Sequence, residues 1–129
     1  MSIENALYKR LVAVSGVTAL VSTRVYINKA PQKPTLPYVV LEADDDNAPA
    51  HAMGADIGIK RADVRLYCYA GTPQAAKEIS LAVTAALRRY SGTHDAIEIL
   101  DGYLRGDRPS TDDSVKSDVQ LVEFEIVYQ

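Results

Sequence analysis

The chain has 129 residues, with 14 lysines and arginines against 17 aspartates and glutamates, a formal net charge of −3 and 47% hydrophobic residues. That length can bury a core without disulfides or a structural metal, and a charged fraction of 24% is that of a folded chain, not a disordered one. The acidic balance argues against a domain whose main task is gripping phosphate backbones, and the single cysteine, Cys68, excludes an intramolecular disulfide and any paired-thiol metal or redox motif.

No apolar run approaches the roughly 20 residues that a membrane-spanning helix needs. Met1-Ser2-Ile3-Glu4 lacks the positive start of a signal peptide, so the expectation is a protein kept in a cytoplasm or in a particle assembled there. In chain order, Ile3, Leu7, Leu11 and Val14 recur at helical spacing, with Ser2 as cap and Ser15-Gly16 as stop. Val17 to Ser22 adds a further turn before Arg24-Val25-Tyr26 becomes an extended edge segment. Pro31, Pro34 and Pro37 stiffen the loop that follows, and proline, which cannot donate to a ladder, marks at Pro37 the entry to a buried strand over Tyr38 to Glu42. Residues 43–58 show no period and read as a mobile loop.

Strand character returns over 61–70, where Ala62, Val64, Leu66, Cys68 and Ala70 alternate with Asp63, Arg65, Tyr67 and Tyr69. A helix follows at once. Thr72 is its N-cap, Pro73 occupies the first turn where a missing N–H costs nothing, and Ala76, Ile79, Val83, Ala86, Leu87 and Tyr90 form its buried stripe until Ser91-Gly92. Residues 96–107 and 116–128 form a long antiparallel pair joined by 108–114. Val119 and Leu121 fall on the parity opposite to Val122, Phe124, Ile126 and Tyr128, which a bulge near Gln120 to Val122 would reconcile; Asp101-Gly102 also reads as a bulge. The expected fold is a single α+β domain over residues 1–129, with an antiparallel sheet of four to five strands and two main helices. The second helix packs on the Ala62, Val64, Leu66 and Cys68 face.

Motifs for chemistry are missing. Counting from Asp44, an EF-hand would need Gly at position six and Glu at twelve, where the chain has Pro49 and Ala55. His51 and His94 fall in different loops without a helical partner, and the one thiol lies mid-strand among apolar neighbours. Asp95, Glu98 and Asp101 offer carboxylates, yet no pattern pairs them across a cleft. No catalytic, cofactor-binding or metal-binding residue is expected.

One constellation does suggest function. Arg65, Tyr67 and Tyr69 project from one face of a strand, and three readings compete: a base-stacking platform of the kind seen in RNA-recognition sheets, a face closed by the first helix, or a subunit interface. Eight tyrosines against no tryptophan fit the last, since tyrosine is enriched in interface cores.

Several segments in order carry a further signal: the opening helix, Arg24-Val25-Tyr26, Ala30-Pro31-Gln32, Leu36-Pro37-Tyr38-Val39-Val40, the strand Asp63 to Ala70 running into an alanine-rich helix, and the closing Phe124-Glu125-Ile126-Val127-Tyr128. Together they resemble the small tail-completion, or head-tail joining, proteins of long-tailed bacteriophages and prophages. The resemblance implies a structural α+β subunit similar to tail terminators. Its relatives form a homo-oligomeric ring, hexameric among them, that caps the tail tube and joins it to the head connector. Tail tube protein and head-tail connector are then the partners, no membrane is involved, and DNA passes through without specific binding. The place implied is the virion, after assembly in the host cytoplasm. The family has no catalytic residues to carry over. The chain departs from the usual pattern over residues 44–58 and at Asp112-Asp113. Expected contact residues are Arg65, Tyr67 and Tyr69 together with Asp44, Asp45 and Asp46. The alternative function is a small nucleic-acid-binding module using the Arg65, Tyr67 and Tyr69 face.

Overall fold

The computed structural model describes residues 3–32, 35–46, 51–52, 55–56, 59–94, 96–110 and 118–129. The amphipathic start of the chain folds as two helices, α1 (Ile3–Ala13) and α2 (Ser15–Val21). Val14 is extended between them, and its carbonyl oxygen accepts from the backbone N–H groups of Val17 and Thr18. Ser15-Gly16 therefore opens α2 and does not merely stop α1. The break rotates the chain so that Leu7 and Leu11 of α1 and Val17 and Val21 of α2 all reach the same core.

Strand β1 (Val25–Ile27) lies at one sheet edge and pairs in parallel with β2 (Tyr38–Asp46), Val25 opposite Val39 and Ile27 opposite Leu41. The connection 28–37 makes this possible by returning the chain to the end where β1 began. Asn28, left-handed at φ 68°, donates its N–H to the Leu41 carbonyl oxygen, and Arg24 Nε donates to the Pro37 carbonyl oxygen at 2.8 Å. The sheet is thus mixed, where an antiparallel one was expected.

β2 also runs four residues further than expected. Its ladder with β5 (Lys60–Ala70) continues through Asp46 opposite Arg61, so residues 43–46 are strand and not loop. The reason is that Ala43 still packs against the core, with Val64 as its register partner. Two short strands, β3 (His51–Ala52) and β4 (Ala55–Asp56), pair with each other. The remainder of the expected 43–58 loop lies outside the described residues.

Helix α3 (Pro73–Leu87) has the predicted cap, Thr72 Oγ1 accepting from Ala75 N–H at 3.1 Å. It ends three residues before Tyr90, because Arg88 turns extended and Arg89 left-handed at φ 57°, and the Arg89 N–H leaves the helix to donate to the Gly102 carbonyl oxygen. Strands β6 (Gly92–His94), β7 (Ile97–Ser110) and β8 (Asp118–Tyr128) complete a six-stranded sheet in the order β1-β2-β5-β8-β7-β6. Among the described residues, three helices and a six-stranded main sheet replace the expected two helices and four to five strands. The additions are elements of three to seven residues, too short to show a period in sequence.

α1 and α3 bury their apolar stripes against one face of this sheet, formed by Val39, Leu41, Val64, Leu66, Val122, Phe124 and Ile126, and α2 joins the same core by packing on α1 and α3. The β7–β8 ladder shifts register between Ile99 and Asp101, where a bulge was anticipated, and again between Leu104 and Gly106. The bulge expected near Gln120 is not formed, since β8 pairs with β5 in unbroken register from Asp118 to Tyr128. Both faces of β8 are buried at that end. Gln120 points inward with its Nε2 donating to Asp107 Oδ1 at 2.6 Å, while Val119 and Leu121 point to the face opposite the helices.

Candidate functional site

That opposite, helix-free face is where the predicted residues meet. Strict alternation along β5 places Arg65, Tyr67 and Tyr69 outward, with Arg65 exposed and the two tyrosines half-buried. They are not closed off by α1, which packs on the other face among the core residues. Cross-strand register then adds side chains that sequence reasoning missed: Tyr38 and Val40 on β2 face Tyr69 and Tyr67, and Val119 and Leu121 on β8 flank the same two tyrosines. The signal was present as the off-parity Val119 and Leu121, which mark a second apolar face and not a bulge.

The tyrosines interact with one another. Tyr38 and Tyr69 stack at 4.6 Å between centroids and 13° between planes, and Tyr26 meets Tyr38 edge-on at 5.9 Å and 61°. Tyr38, Val40, Val119 and Leu121 are each at most 7% exposed even though they lie outside the helix-packed core. One end of the face is therefore an aromatic and aliphatic patch.

The other end is charged. Arg65 Nε lies 3.5 Å from Glu42 Oε2, Arg108 lies 2.8 Å from Glu123, Arg61 lies 3.7 Å from Glu125, and Arg105 pairs with the same Glu125. A shallow cleft over Val64 and Phe124 is lined by Asp63, Arg65, Arg105 and Glu123. Such exposed pairs add little stability each, but they fix a patterned surface. Asp44 is exposed on this face and sits directly across from Asp63. The backbones of Asp45 and Asp46 pair with Ala62 and Arg61, and their side chains lie outside the described residues.

The residues considered for chemistry lie elsewhere. Among the described residues no group of His, Cys, Asp and Glu side chains could hold a metal ion. Cys68 is fully buried on the helix side of β5, and burial, with a smaller contribution from the Asp107 carboxylate, pushes its thiol well above the ordinary range. His94 Nε2 is 2.7 Å from the Tyr90 hydroxyl, whose ring also carries the Arg10 guanidinium at 3.9 Å, so this histidine is held in a packing contact. No helix is long and apolar enough to cross a membrane among the described residues.

A face with an ordered aromatic end and a patterned charged end is suited to recognising another protein. No curated protein sequence matches the chain. Several solved structures share its fold. A component of the virion of a native gene transfer agent particle is 20% identical, with a TM-score of 0.76 over 99% of this chain and 96% of that one. The gp17 protein of bacteriophage SPP1 is 16% identical, with a TM-score of 0.57 over 95% of this chain and 85% of that one. Residues 5–129, which include every element from α1 to β8 apart from the first two residues of α1, match the family described as tail completion protein gp17. The chain belongs to the tail completion protein gp17 family.

Proposed function

We propose that this protein is a structural virion component that completes the tail, assembling as a homo-oligomeric ring at the head-proximal end of the tail tube and docking it to the head connector. The observation that carries this reading is the family match over residues 5–129, supported by the shared fold with a virion component over nearly the whole chain. The helix-free sheet face gives the role a physical basis. A rigid sheet backed by three helices presents preformed side chains, so little ordering entropy opposes association. The single-domain organisation and the contact role of Arg65, Tyr67, Tyr69, Asp44, Asp45 and Asp46 belong to the same proposal. So does DNA transit without specific binding, for which a net charge of −3 is favourable.

The base-stacking alternative finds less support. A stacking platform needs open ring faces and free cations. Here Tyr69 gives a face to Tyr38, and Arg65 is neutralised by Glu42. The test is deletion of the gene in its phage or prophage, followed by electron microscopy of the lysate. Tail completion predicts filled heads and separate tails, restored to joined particles by the gene in trans. Normal joined particles in the deletion would overturn the reading.

A further inference from the structure

Asp44 and Asp63 occupy directly opposed positions on β2 and β5, both exposed, and like charges so placed oppose strand pairing. Each arginine on this face is paired with a glutamate, Arg61 and Arg105 sharing Glu125, and no described residue forms an ion pair with either aspartate. Four arginines thus meet three glutamates and two aspartates, which leaves the Asp44 and Asp63 end of the face, beyond the Arg65 row from the tyrosines, net negative. On the far side of the molecule, the solvent stripe of α3 carries the complement. Leu81 is 55% exposed there, and Ala85 and Arg88 follow it at helical spacing on the same stripe, all three exposed. Arg88 has no described carboxylate partner, whereas its neighbours at this helix end are engaged, Arg89 with Asp101 and Arg10 over the Tyr90 ring.

The two stripes also match in length. From Leu81 to Arg88, the extended residue that caps α3, the chain advances about 10 Å at 1.5 Å per residue. Tyr67 to Asp63 spans four residues of strand, about 13 Å at 3.3 Å per residue. Leu81 placed over Tyr67 would put Arg88 within side-chain reach of Asp63 and Asp44, with the small Ala85 passing over the middle of the strand.

We infer that the occupant of the helix-free sheet face is a second copy of this chain, which lays the Leu81, Ala85 and Arg88 stripe of α3 across β5 and sets Arg88 against Asp63 and Asp44. The contact joins two different surfaces of the subunit, so it is head-to-tail, and such contacts close into rings when the rotation permits. This inference rests on the ring proposed above and assigns its subunit boundary.

Charge reversal tests it. Asp63→Lys and Arg88→Glu, made singly, each place like charges across the boundary and are expected to weaken self-association at least roughly tenfold in sedimentation velocity, with unchanged circular dichroism. The double variant Asp63→Lys, Arg88→Glu restores the pair in reverse and is expected to reassemble. Leu81→Ser, at a solvated helix position, tests the apolar half without threatening the fold and is expected to dissociate the assembly as well. Single variants that assemble like the wild type, or a double variant no better than either single, would overturn this boundary while leaving the ring intact. A wild-type protein that stays monomeric at every concentration, including with tails present, would overturn the ring itself.

Discussion

Cys68 shows how a single residue reports the state of the whole sheet. Its side chain is completely buried between β5 and α3, and burial with the nearby Asp107 carboxylate raises its thiol above the ordinary value of 9.0. In the unfolded chain the thiol ionises near that ordinary value, whereas in the folded protein it stays protonated. Above pH of about 9 the unfolded state therefore binds fewer protons than the folded one, and stability falls as pH rises. The contribution is fully present below that pH and is lost at about 1.4 kcal/mol per pH unit above it. Cys68→Ala is expected to flatten the alkaline limb of a urea-melt stability profile by that slope. An identical limb in the variant would mean that the thiol ionises normally and is not sealed.

At the scale of elements, the end of α3 and β7 approach each other backbone to backbone. Gly102 faces the Leu87 carbonyl oxygen, and a Cβ added there would collide with that backbone atom and crowd the Ile126 side chain. The same contact carries the hydrogen bond from Arg89 N–H to the Gly102 carbonyl oxygen at 2.8 Å and the Arg89 to Asp101 ion pair at 2.9 Å. A glycine is required because backbone meets backbone, and neither side can yield as a flexible side chain could. Gly102→Ala is expected to destabilise the protein by about 1 to 3 kcal/mol, the usual cost of overpacking. Differential scanning calorimetry measures it, and a melting temperature equal to wild type would show that α3 docks more loosely than its geometry implies.

Over the whole molecule, the sheet is asymmetric. One face is closed by three helices around Leu7, Leu66, Leu87 and Phe124, and the other is left to tyrosines and paired charges. Under the proposed assembly, substitutions at the outward, half-buried positions of the second face act on association before stability. Tyr67→Ala, on the half-buried outer side of β5, is expected to cost about 1 to 3 kcal/mol of self-association while leaving a folded subunit. Sedimentation equilibrium reads the difference. An association constant unchanged from wild type, in a protein with a native melt, would put the subunit boundary on some other surface.

What was legible from sequence alone were the elements whose own patterns are long enough to repeat. The alternation over 61–70, the cap and stripe of the helix after Thr72 and the pairing of the closing strands were legible, though the helix ends at Leu87 and the bulge near Gln120 is not formed, because period-two and period-3.6 burial leave their mark on consecutive residues. The outward placement of Arg65, Tyr67 and Tyr69 followed from the same alternation. Tertiary structure decided what depends on neighbours distant in the chain. The parallel pairing of β1 rests on where the 28–37 connection delivers the chain, and the strand state of residues 43–46 rests on a ladder with β5. Val119 and Leu121 show the limit most plainly. A hydrophobic residue of the wrong parity looks like a bulge until the strands on either side are known, and only cross-strand register reveals that Tyr67 and Tyr69 wait beside it, making a second apolar face on the same strand.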